Sequence, residues 1–229
     1  MIIPTHIAII PDGNRRWARK KGLPTLQGHK YAAEKTLPDL LEKASNIGIK
    51  YFTFWALSTE NLKKRTKNEV QALLSLMKYF LKNKVNEFKK KDIKLMTIGD
   101  LKKLPQDIQS LISKSIKETE KNRKMTVIFG INYGGRDEVI RAINKVKSQK
   151  SKVKRLTEEQ LNKYLDTAGI PDPDMIIRTG GEKRLSGFLP WQSVYSELYF
   201  SELFFPDFKA RELEKAVEDY SFRQRRFGK

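Results

Sequence analysis

His6-Ile7-Ala8-Ile9-Ile10-Pro11 is a short apolar run that stops at Asp12-Gly13, and it reads as a buried strand ending in a loop. Runs of the same kind return at Tyr51 to Leu57, Ile93 to Ile98, Thr126 to Ile131 and Met175 to Ile177, each ahead of a polar or glycine-containing loop. Helical patterns lie between them. That alternation predicts an α/β fold, a central and mostly parallel sheet surrounded by helices. The clearest helix carries Val70, Leu73, Leu74, Met77, Phe80, Leu81, Val85 and Phe88 on one face at i, i+3, i+4 steps. Such a stripe fits core packing, and beside a parallel sheet it also fits the lining of a hydrocarbon tunnel. Thr157-Glu158-Glu159-Gln160 has the pattern of a helix start with a capping box.

With 229 residues and no evident linker, one domain over 1–229 is expected. Zero cysteines exclude disulfides, Cys-ligated zinc and a thiol nucleophile. No stretch approaches the roughly 20 apolar residues of a membrane span, and Met1 to Ile10 lacks a basic n-region. The expected location is the cytoplasm. A formal charge of +19 calls for an anionic partner: nucleic acid, anionic lipid or a phosphorylated substrate. Residues 61–104 hold 13 Lys/Arg against four Asp/Glu, and Lys145 to Arg155 adds six bases and no acid. Neither run interleaves the aromatics that would stack bases, which argues against nucleic acid.

In open α/β sheets, ligands bind beyond the carboxyl ends of the strands. That rule singles out Asp12 to Trp17, Ser58 to Arg65, Asn132 to Arg136 and Arg178 to Leu189. Asp12 is a hard oxygen ligand for Mg²⁺, Gly13 and Asn14 can offer backbone N–H groups, and Arg16 can pair with phosphate oxygens. An Asp-capped turn is the plainer alternative. Arg178-Thr179-Gly180-Gly181-Glu182-Lys183-Arg184-Leu185-Ser186 sets two arginines and a hydroxyl around a glycine pair, without the spacing of a nucleotide P-loop. It reads as a second phosphate pocket or as a solvated basic loop. Glu197 is a lone acid in an aromatic segment and needs a partner, a metal or an arginine. His6 opens the first strand and reads as structural. His29, at a helix start after Gly28, is open between structure and function.

Together these stretches resemble the cis-prenyltransferases, the family of undecaprenyl and dehydrodolichyl diphosphate synthases. The landmarks are HIAIIPDGNRRWA, GHK at 28–30, STEN at 58–61, NYGGR at 132–136, IRTGGEKRLSGFLPWQSVYSELYF at 177–200, PDF at 206–208 and the terminal RRFG. The resemblance implies Mg²⁺-dependent condensation of isopentenyl diphosphate onto an allylic prenyl diphosphate, farnesyl or geranylgeranyl, to make a polyprenyl diphosphate that serves as a lipid-carrier precursor. It also implies a homodimer and a hydrophobic tunnel for the growing chain, with peripheral membrane contact as a route for product release.

Site residues follow from the same resemblance. Asp12 would bind Mg²⁺ and assist departure of the allylic diphosphate, which Gly13, Asn14, Arg15, Arg16 and His29 cradle while Trp17 positions the substrate. Arg178, Arg184 and Ser186 would hold the isopentenyl diphosphate, with Leu185 between them, and Glu197 would join the metal site. Ser58, Thr59, Glu60 and Asn61 would line the reacting centre, Asn61 taking part in proton removal. Arg226 and Gly228 belong to a tail that reaches the isopentenyl site across the dimer.

Three departures stand out. Thr25 replaces a usual arginine, Leu62 a frequent tryptophan, and Lys63-Lys64-Arg65 is one residue longer than the common pattern, so the substrate-binding base there is Lys64 or Arg65. A noncatalytic accessory subunit of a heteromeric enzyme is a competing reading, although such subunits usually lack the aspartate that Asp12 supplies. A basic nucleic-acid-binding protein would fit the charge and none of the motifs.

Overall fold

A computed structural model describes residues 1–148 and 155–223. The opening run forms β1 (His6–Ile10), and the four other runs form β2 (Tyr51–Ser58), β3 (Ile93–Ile98), β4 (Met125–Tyr133) and β5 (Met175–Arg178). A sixth strand, β6 (Glu197–Phe200), pairs with β5 at the edge. The order is β3-β4-β2-β1-β5-β6, and every neighbouring pair is parallel. β6 escaped the sequence reading because Glu-Leu-Tyr-Phe is only half-buried and offers no continuous apolar run.

β1 is buried throughout because it is central and covered on both faces. Ile7 and Ile9 point into the larger core with α3 (Leu37–Ile47), α5 (Lys67–Lys90), α6 (Gln106–Thr119) and α9 (Ala210–Phe222). Ala8 and Ile10 point the other way, into a cluster with Ile128, Tyr133, Phe188 and Leu189. This is the two-residue period of a strand. α1 (Asn14–Lys20) and α2 (Thr25–Tyr31) pack as a hairpin beyond the carboxyl end of β1. A π turn at Ala32–Thr36 joins α2 to α3, where Pro38 cannot donate the N–H that an unbroken α-helix would require.

Ser58 caps α4 (Thr59–Lys64) by accepting from the Asn61 N–H. β2 shifts register against β4 twice between Trp55 and Ser58, and such irregularities re-aim side chains at strand ends. α7 (Gly135–Ser148) follows β4, and α8 (Glu158–Asn162) starts at the expected capping box on Thr157.

Candidate active site

One cavity of about 730 Å³ opens at the carboxyl ends of the central strands. Its mouth is polar, lined by Asp12, Arg16, Arg65, Arg178 and Ser186, and its depth is apolar, lined by Leu76, Leu81, Leu95, Ile112 and Phe129. The apolar stripe of α5 divides between the two uses its spacing allowed. Leu73, Met77, Phe80 and Leu81 line the cavity, whereas Val85 and Phe88 belong to the core.

At the mouth, the Asp12 carboxylate accepts from Arg178 Nη2 at 2.9 Å and from the Gly13 N–H at 2.6 Å, and lies 3.2 Å from Arg16 Nη2. Arg178 is 5% exposed and also donates to Ser186 Oγ at 2.8 Å and to the Arg184 carbonyl. Burial pushes the Asp12 carboxyl up, but the bonds from Arg178 and Gly13 and the charges of Arg178 and Arg16 outweigh it and hold the group below the usual range. Two glycines let these loops close. A Cβ on Gly13 would meet the Phe204 ring at 2.6 Å, and one on Gly180 would meet Arg16 Nη2 at 2.6 Å.

A second cationic group faces the same cavity. Arg15 Nε, His29 Nε2 and Arg65 Nε are buried without a hydrogen-bond partner, and the nearby acid is Glu69, 3.5 Å from Arg15 Nη2. Buried donors of this kind suit an oxyanion, which would satisfy several at once. Burial, then the charges of Arg65 and Arg15, lower the His29 pKa to about 4, so the ring is neutral at pH 7. His29 sits inside α2, not at a helix start.

His6 is structural, as read: it is 2% exposed and its ring bonds the Pro171 carbonyl at 2.6 Å and Thr53 Oγ1 at 2.8 Å. Burial lowers its pKa to about 4 too. Both folded pKa values lie below the unfolded 6.5, so the unfolded chain binds more protons as the pH falls from 6.5 towards 4, and stability drops across that window. Urea unfolding at pH 7 and pH 4.5 should show a loss of about 2 to 3 kcal/mol per histidine. His29→Gln should remove one share of that slope, and an unchanged slope would refute the assignment.

Of the residues singled out from sequence, Asp12, Gly13, Asn14, Arg15, Arg16, His29, Ser58, Thr59, Glu60, Asn61, Arg65, Arg178 and Ser186 line this cavity. Six others do not. Trp17 is buried against Tyr31, with its Nε1–H on Asp207 at 2.8 Å, and anchors α1. Leu62 packs on the larger core and faces a smaller groove. Lys64 is exposed and lies 3.4 Å from Glu60, which leaves Arg65 as the base turned to the cavity. Arg184 is exposed and ion-paired with Glu182, contributing only its carbonyl to Arg178, and Leu185 packs in the smaller core.

Glu197 pairs with Arg223 at 3.0 Å. It starts β6 opposite Met175, three residues before the level of Arg178, about 10 Å back along the strand at ~3.3 Å per residue. A metal site uniting Glu197 with Asp12 is therefore not formed within one chain. Arg226 and Gly228, with most of the basic stretch after Lys147, lie outside the described residues.

The cavity also includes Arg19, which the sequence reading did not select, and Tyr133 and Arg136 of the Asn132 to Arg136 loop, to which it gave no role. Arg136 stood in the quoted NYGGR motif, and Arg19 lies one helical turn beyond Arg15 and Arg16, a usable signal for both. Tyr133 donates to Glu138 at 2.7 Å, and fully buried Glu138 also accepts from Gln192 at 3.1 Å and from the Asp166 N–H at 2.9 Å. This network ties the segment after Ser186 to α7.

Comparison with known proteins places these features. The family model described as "Putative undecaprenyl diphosphate synthase" matches residues 10–228. The chain is 44% identical over 230 residues to an isoprenyl transferase of Clostridium perfringens, covering 99% of this chain and 90% of that one. It is 43% identical to an isoprenyl transferase of Aquifex pyrophilus, over 99% and 96%. Among solved structures it resembles lavandulyl diphosphate synthase from Lavandula x intermedia, in complex with dimethylallyl diphosphate, with TM-score 0.94, 35% identity and 99% of each chain covered. A probable undecaprenyl diphosphate synthase from Campylobacter jejuni aligns with TM-score 0.84, 34% identity and 100% of both chains.

Proposed function

This chain belongs to the undecaprenyl diphosphate synthase family of prenyltransferases, and from that premise we propose that it condenses isopentenyl diphosphate onto a farnesyl or geranylgeranyl diphosphate primer, making a cis-polyprenyl diphosphate for use as a lipid-carrier precursor. The observation that carries this reading is a single cavity whose cationic mouth at Asp12, Arg65 and Arg178 continues into an apolar depth at Leu81, Leu95 and Ile112. A diphosphate on a hydrocarbon tail needs both halves in that order.

Arg15, Arg16, Arg65 and His29 hold the primer's diphosphate, and Arg178 with Ser186 holds that of isopentenyl diphosphate. The allylic C–O bond breaks and its electron pair leaves with the diphosphate, whose developing charge the fixed guanidinium groups stabilise. The homoallylic double bond then forms the new C–C bond, and a proton passes to an oxygen of the departing diphosphate, which restores a double bond. Ser58, Thr59, Glu60 and Asn61 border this centre, and Asn61 assists the proton's departure. Phe54, Met77 and Phe80 keep water from the carbocation.

The donor set suits Mg²⁺ shared with substrate. Among the described residues no cluster of three or more His, Cys, Asp or Glu could hold a metal, and Mg²⁺ commonly takes one or two carboxylates and completes its shell with phosphate oxygens and water. Asp12 would hold it, and when bound it would neutralise the leaving diphosphate. We further propose a homodimer, in which the tail carrying Arg226 and Gly228 of one copy completes the isopentenyl site of the other.

Labelled isopentenyl diphosphate, either primer and Mg²⁺ should yield chloroform-soluble label, and chromatography of the product gives its length. No incorporation with either primer would overturn the reading. Within that assay, Arg65→Ala should raise the primer KM by roughly tenfold or more, the loss of one charge-assisted hydrogen bond, and Lys64→Ala should leave it unchanged. The reverse pattern would move the phosphate contact to Lys64.

A further inference from the structure

Residues 13–33 contain six Lys/Arg and no acid, and they fold into the α1–α2 hairpin that walls the cavity mouth. The turn of this hairpin, 19–24, is exposed along its whole length. Gly22 takes φ +66° with open space around it, and the Leu23 N–H bonds the Ala18 carbonyl at 2.9 Å, which fixes the turn's shape. Leu23 and Leu26 project with 42% and 41% exposure.

Beneath them the hairpin is stiff. Trp17 is 6% exposed, packs its ring against Tyr31 at 4.9 Å in a tilted arrangement and bonds Asp207. Arg19 and Lys20 have no ion pair among the described residues, Lys21 lies over the Trp17 ring at 4.7 Å, and Lys30 reaches Glu34 only at 4.0 Å. Lys78, Lys84, Lys89, Lys91, Lys103 and Lys114, on other elements, each face an acid. The hairpin therefore combines unpaired cations with exposed leucines on a packed base, beside the cavity mouth.

We propose that the α1–α2 hairpin docks the protein on an anionic lipid bilayer, Leu23 and Leu26 entering the headgroup boundary while Arg19, Lys20 and Lys21 meet the anionic headgroups. Cations flanking a small apolar tip are the combination that an anionic interface attracts. A nucleic acid would find the cations but no use for the leucines. The handover of product rests on the proposed function; the docking does not.

Sedimentation with vesicles tests this without any substrate, so its result is independent of the incorporation assay. The protein should pellet with vesicles of phosphatidylcholine mixed with phosphatidylglycerol, remain in solution with phosphatidylcholine alone, and come off as salt rises. Lys20→Glu combined with Leu23→Ser and Leu26→Ser should lower the partition coefficient by roughly tenfold or more, with an unchanged melting curve and unchanged incorporation in vesicle-free buffer. Partition of that variant equal to the parent's would overturn the proposal. So would equal binding to both kinds of vesicle, or salt-dependent binding of the parent to duplex DNA but not to vesicles.

Discussion

Asp12→Ala is expected to lower turnover about a thousandfold, ~4 kcal/mol of transition-state stabilisation, while the chain remains folded. The carboxylate sits at the junction of the two substrate halves, tied to Arg178 on one side and Arg16 on the other. Removing it takes away the hard oxygen proposed for Mg²⁺ and leaves Arg178 without its anionic partner. Asp12→Asn separates these losses, because an amide oxygen still accepts from Arg178 but is a poor ligand for a hard cation. Both variants should lose rate, and Asp12→Ala, which loses the hydrogen bond as well as the charge, should melt lower than Asp12→Asn. Full turnover by Asp12→Ala would end the assignment. Asp12 is held below its ordinary pKa, so its share of stability is present above the unfolded value of ~3.9 and is lost as pH falls through the lower folded value.

Arg178→Lys should cost about a hundredfold in kcat/KM for isopentenyl diphosphate, the loss of charge-assisted bonds that a single ammonium cannot reproduce. The guanidinium is nearly buried at the end of β5 and spans Asp12, Ser186 and the Arg184 carbonyl. A lysine keeps the charge and loses the fork. The primer KM should move far less, since Arg15, His29 and Arg65 lie in the other half. Equal effects on both substrates would mean that Arg178 serves the site as a whole. Arg178→Gln adds a pH readout: without the cation, burial drives the Asp12 carboxyl upward, and the acid limb of the rate profile should shift to higher pH.

The sequence by itself determined the five apolar strands and their parallel arrangement, because continuous β-forming runs separated by amphipathic helices leave few other ways to bury both faces of a sheet. It also singled out Asp12 to Trp17 and Arg178 to Leu189 as strand-end loops, and the pairing of Ile10 with Arg178 in the assembled sheet then brings the two together. Only the tertiary structure decided which neighbouring side chains face the cavity. Lys64 stays outward on the last turn of α4 beside Glu60, whereas Arg65, the next residue, leaves the helix in extended backbone and turns to the cavity. Trp17 does not line the cavity, and its indole packs against Tyr31 and bonds Asp207, partners that lie elsewhere in the chain. Glu197 needed a partner by any reading of burial, but whether that was a metal or Arg223 depended on strand register. Register along an edge strand is a property of the assembled sheet, and no local pattern in the sequence encodes it.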